Sequence, residues 1–311
     1  MTACSHALVT GGAGFIGSHL TRALLEQGTR VTVLDNLSVG RRDAVAAGAR
    51  FVHGDVRDEA AVADALRDVD AVFHLAAQVT IRGSFDRFQE DLDTNVMGTA
   101  RLLRAVDPAL VKWFTLASSM AIYADADSPA PIDESHPTRP LSPYGVGKLA
   151  AEDVSSQVLA ARGIPFTAVR YFNTYGPGQG YTPYVGVLTI FITKLLRGEP
   201  ITIFGDGEQQ RDLVHVRDIV AGTIATPGRT PGRYNLGTGK GITLNQLASL
   251  VLARLAPGQR PHHADPPGGE LRYSVANIDA ARRHLGYAPT HSLERDLDEV
   301  IAAVRAREGV A

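Results

Sequence analysis

The stretch VTGGAGFIG, Val9 to Gly17, constrains the fold of this chain more than any other. An apolar run, HALVTGG, leads into it, and a helical pattern, FIGSHLTRALLEQG, leads out. The turn between them carries glycines at 11, 12, 14 and 17. At a strand-to-helix junction such glycines let a pyrophosphate approach the free amides of a helix N-terminus. The next apolar run, RVTVLDN, ends in Asp35, about twenty residues on, where a carboxylate accepts hydrogen bonds from an adenosine ribose. The same carboxylate would repel a 2′-phosphate, so NAD is expected rather than NADP. Arg41 and Arg42 argue the other way and are read as solvated loop charges. Asp55 and Val56, in HGDVRD after a third apolar run, are expected at the adenine edge.

Strand-like and helix-like patterns alternate along the first half. HALVTGG, RVTVLDN, RFVHGDV, AVFHLAA and KWFTLASS read as short strands, with helical stretches such as EAAVADALRDV between them. IPFTAVRYFN reads as a sixth strand. This spacing predicts right-handed βαβ crossovers and an α/β fold, a doubly wound parallel (Rossmann) sheet. After Asn173 the pattern loosens into Gly/Pro-rich segments, TYGPGQGYTPYVG and PHHADPPGGE, read as loops of a second, smaller substrate-binding lobe. The expected division is 1–172 with about 211–237 for the NAD-binding domain, and about 173–210 with 238–311 for the lobe.

Composition removes several functions. At 311 residues and a formal charge of −2, nothing favours nucleic acid or an anionic membrane surface. Cys4 is the single cysteine, which excludes an internal disulfide and suits a reducing cytoplasm. No apolar run reaches membrane-spanning length, and no signal peptide is evident at the N-terminus. His262-His263 lack neighbouring thiol or carboxylate partners, so no metal is expected. NLGTGKG resembles a phosphate-binding loop but has Tyr234 where a glycine is required and no Ser or Thr after Lys240.

The chemistry is expected in SPYGVGKLAAED. Tyr144 and Lys148 stand four apart near a helix start and therefore share a face. A tyrosine of ordinary pKa, roughly 10, is a poor base at neutral pH; a neighbouring ammonium and a cationic nicotinamide both favour its phenolate. Ser118 and Ser119, at the end of the preceding strand, supply a candidate catalytic hydroxyl, and Met120 follows directly.

Taken jointly, the glycine fingerprint, DNLSVG, HLAAQ, Asn95 in NVMGT, Ser-Ser, Tyr-x-x-x-Lys, RYFNTYGP and GDGEQQRDLVHVRD resemble the extended short-chain dehydrogenases/reductases, in their NAD-dependent nucleotide-sugar epimerase/dehydratase branch. The resemblance covers nearly the whole chain. It implies a cofactor site formed by Gly11, Gly14, Phe15, Ile16, Gly17, Asp35, Asn36, Ser38, Gly40, Asp55, Val56, Leu75, Ala76, Ala77, Asn95, Tyr144 and Lys148. It makes Ser119, Tyr144 and Lys148 catalytic: Tyr144 the base for a sugar 4-hydroxyl, Lys148 the ribose anchor that tunes it. Thr80, Ser119, Met120, Asn173 and Arg211 would contact a UDP-sugar, with Asn173 and Arg211 on its diphosphate. It also implies a homodimer formed through the helix from Tyr144 to Ala161 and the one after Asn95.

The shared first step in that family is C4 oxidation of the sugar. Its 4,6-dehydratases place an Asp-Glu pair after the catalytic Ser/Thr; here those positions are Met120 and Ala121. Its 4-epimerases usually place small residues there, so that the ketone can turn over, which a methionine would crowd. Further departures are Ala124, Gly147 and Pro267, the last standing where many members have a diphosphate-binding Arg. Length, arginine-rich composition and motif set resemble a UDP-N-acetylglucosamine 5,6-dehydratase. The expected activity is therefore C4 oxidation, 5,6-elimination of water and hydride return. The alternative is 4-epimerisation, and the alternative of another class is a non-catalytic NAD-sensing regulator.

Overall fold

The computed structural model describes residues 4–182, 186–265 and 271–309. Its first half runs β1 (His6–Thr10), α1 (Phe15–Glu26), β2 (Arg30–Asp35), β3 (Arg50–His53), α2 (Glu59–Ala65), β4 (Ala71–His74), α3 (Gly83–Asp86) and α4 (Phe88–Leu92). A π-helical turn (Asp93–Gly98) joins α4 to α5 (Thr99–Ala105). Then come β5 (Trp113–Ser119), α6 (Pro143–Ala161) and β6 (Phe166–Tyr171). The second half has β7 (Asn173–Tyr175), α7 (Val187–Leu196), β8 (Thr202–Phe204), β9 (Gln210–Arg211), β10 (Leu213–His215), α8 (Val216–Ile224) and β11 (Gly232–Leu236). It closes with β12 (Ile242–Thr243), α9 (Leu244–Leu255), β13 (His262–Ala264), β14 (Tyr273–Ser274), α10 (Asp279–Leu285) and α11 (Leu293–Glu308).

Seven strands form one all-parallel sheet in the order β11-β6-β5-β4-β1-β2-β3. The strand order reverses between β1 and β4, the switch point at which such sheets open a crevice at their carboxyl ends. Strands β1, β2 and β4 are buried along nearly their whole length, because helices cover both faces of a parallel sheet. Apolar side chains of α2, α5 and α6 pack one face, and those of α1 and α8 the other.

The seventh strand, GRYNL, was not legible as one: it is short, and only Tyr234, Asn235 and Leu236 are buried. A second apolar cluster gathers α7, β8, α9 and α11 around Phe191, Ile203, Leu247, Val251 and Val300. PHHADPPGGE departs from the loop expected, since His262–Ala264 pairs in parallel with Thr202–Phe204. Backbone pairing carries that strand, and both histidines remain exposed.

Candidate active site

The fingerprint turn is a cradle made by missing side chains. Gly11 has φ +70°, and a Cβ there would lie 2.8 Å from the Ala76 amide nitrogen. A Cβ on Gly17 would stand 2.1 Å from the Gly11 carbonyl oxygen, so no larger residue fits. Helix α1 starts at Phe15 with no side-chain cap and no acidic residue in its first turn. Its orphan N–H groups and positive dipole end therefore suit a phosphate. This geometry fits a dinucleotide, with Phe15 and Ile16 in the turn that faces it.

The carboxylate of Asp35, at the end of β2, accepts from Ala13 N at 3.0 Å and from Leu37 N at 2.8 Å. It joins the fingerprint turn to the loop of Asn36, Ser38 and Gly40. A Cβ on Gly40 would touch Ala13 at 2.8 Å. Asn36 donates to Asp55 at 2.7 Å, and Arg57 holds the Asp55 carboxyl down at about 2. Val56 is buried beside the π turn. Arg41 pairs with Asp43, and the Arg42 guanidinium lies 4.4 Å from the Phe51 ring centroid. Both arginines thus have partners of their own.

On the other side of the crevice, Thr10 Oγ1 accepts from the N–H groups of Leu75 and Ala76 at 3.2 and 3.1 Å. Thr10 also bonds His74, which bonds Thr99. Burial pushes His74 down to about 3, so this histidine is a neutral strut. Asn95, in the π turn, accepts from Gln78 N at 2.9 Å and donates to Gln78 O at 3.2 Å. It thereby fixes the segment after Ala77.

Tyr144 and Lys148 lie one helical turn apart on α6 and are both buried. Ser142 caps the helix through its bond to Gly145 N, and Pro143 starts it. Ser84 Oγ accepts from Tyr144 N at 3.2 Å. This tie, between residues far apart in sequence, carried no motif by which it could be found. Ser119, at the strand end, lies near enough to Tyr144 to oppose the rise that burial imposes on its hydroxyl, so strand end and helix bring the expected pair together. Lys148 Nζ donates to Ala117 O at 2.9 Å.

The protein by itself moves Tyr144 away from the phenolate. Burial pushes Tyr144 up to about 12, opposed by Ser119, and pushes Lys148 down to about 8. Desolvation is the largest cause at both.

One turn beyond Lys148, Glu152 is fully buried and clamped by Arg170 at 3.0 and 2.9 Å and by Arg233 at 3.1 Å. Arg170 also donates to Tyr123 at 2.8 Å, and Tyr123 donates to Asn235 at 2.6 Å. A buried pair so fully hydrogen-bonded locks α6 to β6 and β11.

Asn173 and Arg211 come together because Asn173 pairs with Leu213 in the β7–β10 ladder, two residues from Arg211. Asn173 Nδ2 is buried without a hydrogen-bond partner, a donor that a diphosphate oxygen would satisfy. Asp212, between β9 and β10 in the chain, accepts from Thr238, Gly239 and Ala276 and so anchors this corner. Thr80 lies three residues before α3, and its carbonyl accepts from Ser84 N. Met120 is 8% exposed and packs in the apolar cluster of Tyr144, Ala121 and Phe172. Pro267 lies outside the described residues.

Residues 7–237 match the model of the NAD dependent epimerase/dehydratase family, and the chain belongs to it. Among solved structures, the chain is similar to the UDP-glucose 4-epimerase of Thermotoga maritima bound to UDP-glucose: 36% identity, TM-score 0.93, covering 97% of this chain and 99% of that one. It is similar at 30% identity and TM-score 0.91 to the UDP-N-acetylglucosamine 4-epimerase of Methanobrevibacter ruminantium, covering 97% of this chain and 99% of that one. A third similarity is to the dTDP-glucose 4,6-dehydratase of Streptomyces venezuelae with NAD bound, at 32% identity and TM-score 0.90, covering 98% of each chain. The chain is thus an NAD-dependent enzyme of the nucleotide-sugar epimerases and dehydratases.

Proposed function

We propose that this enzyme is a UDP-N-acetylglucosamine 5,6-dehydratase, the kind of catalyst that serves tunicamycin biosynthesis. Bound NAD supplies the acceptor for the C4 hydride and the donor for its return. Tyr144 takes the proton of the 4-hydroxyl and gives it back at the end. Lys148 stabilises the phenolate, and Ser119 holds the reacting oxygen. Asn173 and Arg211 hold the diphosphate, and Thr80 faces the sugar. While C4 is a ketone, the C5 proton is acidic; it is removed as the C5–C6 double bond forms and the C6–O bond breaks, and the C6 hydroxyl leaves with one proton as water. The sum is loss of one water without net oxidation.

The observation behind this fate is the pair that follows Ser119. Met120 and Ala121 are both buried and carry no carboxylate. The Asp-Glu pair associated with 4,6-dehydration is missing, and the packed Met120 side chain beside Tyr144 opposes rotation of the ketone. A second reading, 4-epimerisation, is favoured by the activities named for the Thermotoga and Methanobrevibacter enzymes. Incubation with UDP-N-acetylglucosamine and proton NMR of the product decides between them. Alkene signals at C6 support dehydration, and a galacto-configured sugar with C6 intact supports epimerisation.

The same proposal divides the chain into an NAD-binding unit, 1–172 with about 211–237, and a UDP-sugar-binding lobe, about 173–210 with 238–311. The separate apolar cluster of α7, α9 and α11 supports that division. It includes a cytoplasmic homodimer. Phe85, Phe88, Leu141 and Val146 are exposed around a shallow apolar groove beside the start of α6, a surface a second copy would cover. Light scattering at micromolar concentration should report a dimer; monomer alone would remove that part.

A further inference from the structure

Asp91, on α4, is 2% exposed. Its Oδ1 accepts from Asn95 Nδ2 at 2.9 Å, whereas Oδ2 is buried with no hydrogen-bond partner. Leaving a buried acceptor unsatisfied costs roughly 1–3 kcal/mol, and more when it is charged, so its presence calls for a physical reason. The carboxylate rests on α6 at Gly147, where a Cβ would lie 3.3 Å from Oδ1. Gly147 directly precedes Lys148 and follows Tyr144 by three residues. The missing side chain, one of the departures noted in the sequence, leaves the space that the carboxylate uses.

Lys148 hydrogen-bonds a neutral carbonyl, that of Ala117. The other charged and titratable groups around it are already engaged. Glu152 is clamped by Arg170 and Arg233. Asp93 in the π turn pairs with Arg57 and Arg101. His74 on β4 is neutral between two threonines, and Arg87, at the head of α4, is exposed. Tyr144 is buried beside Ser119. Among these groups Asp91 is the buried carboxylate with no arginine against it in the hydrogen bonds and ion pairs described.

We propose that Asp91 is the buried counter-charge of Lys148: a positioning residue that holds the ammonium beneath Tyr144 and, through Asn95, steadies the segment at Gln78. This rests on the reading of Tyr144 and Lys148 as the proton-handling pair. In support, Asp91 opposes the lowering that burial imposes on Lys148.

The chain has four lysines, Lys112, Lys148, Lys194 and Lys240, so ¹³C NMR at lysine Cε can follow Lys148 in the NAD-loaded enzyme. Lys148→Arg assigns its signal. Asp91→Asn keeps an acceptor for Asn95 and removes the charge. Lys148 should then titrate at lower pH than in the wild type, with the other three lysines unmoved. The alkaline limb of kcat/KM should move down with it. A Lys148 titration that stays in place, even with lower activity, overturns the proposal. If Asp91→Asn does not fold, Gly147→Ala pushes the carboxylate away and should shift Lys148 in the same direction by less; no shift there overturns it equally. Should the functional reading fail instead, turnover with UDP-N-acetylglucosamine would be absent while the Lys148 shift persisted.

Discussion

At Gly11–Gly17 the surface offered to a ligand is backbone, shaped by side chains that are absent; at Asn173 and Arg211 it is side chain, held by strands of two or three residues. The dinucleotide half is built on a seven-stranded parallel sheet whose carboxyl ends deliver Thr10, Asp35, His74 and Ser119 to one crevice. Asn173 and Arg211 instead stand on short ladders pinned by single residues such as Asp212. Between Ser119 and Asn173 in the chain lies α6, which carries Tyr144 and Lys148.

This contrast can be broken by mutation. The largest effect is expected at the seam: Tyr144→Phe should cut kcat by on the order of 10²–10⁴ and leave bound NAD unchanged, because it removes the proton carrier and little volume. Absorbance of the purified protein and steady-state rates check this, and near-normal turnover would remove Tyr144 from the mechanism.

Next comes the substrate half. Arg211→Ala should raise KM roughly 10- to 100-fold with kcat within a few-fold, as loss of a charge-assisted contact to a diphosphate predicts. An unchanged KM would place the diphosphate elsewhere.

The smallest effect is on the dinucleotide side. Asp35→Ala should weaken NAD by about 1–3 kcal/mol in calorimetry and narrow its preference over NADP. If the wild type prefers NADP, the reading of Asp35 fails, and Arg41 would have to leave Asp43.

The two halves also differed in how far the sequence revealed them. Glycine spacing and apolar runs disclose the crevice because they are local patterns, and the fingerprint, Asp35 and the six N-terminal strands fall where those patterns place them. Strands β8, β9, β12, β13 and β14 span only two or three residues, too short for any periodicity to register. Ties between distant residues are equally invisible to local pattern: Thr10 with His74, Ser84 with Tyr144, Glu152 with Arg170 and Arg233. Burial depth is equally invisible to it, and in the protein by itself burial pushes the Tyr144 hydroxyl up.

The central claim is that hydride leaves C4 and returns to the same face while water is lost across C5 and C6. UDP-N-acetylglucosamine carrying deuterium at C4, turned over in unlabelled water and read by proton and deuterium NMR, tests it directly. The account predicts a product that keeps deuterium at C4 in the gluco configuration and shows new alkene signals at C6. A product inverted at C4 with its C6 hydroxyl intact would contradict it and establish 4-epimerisation instead.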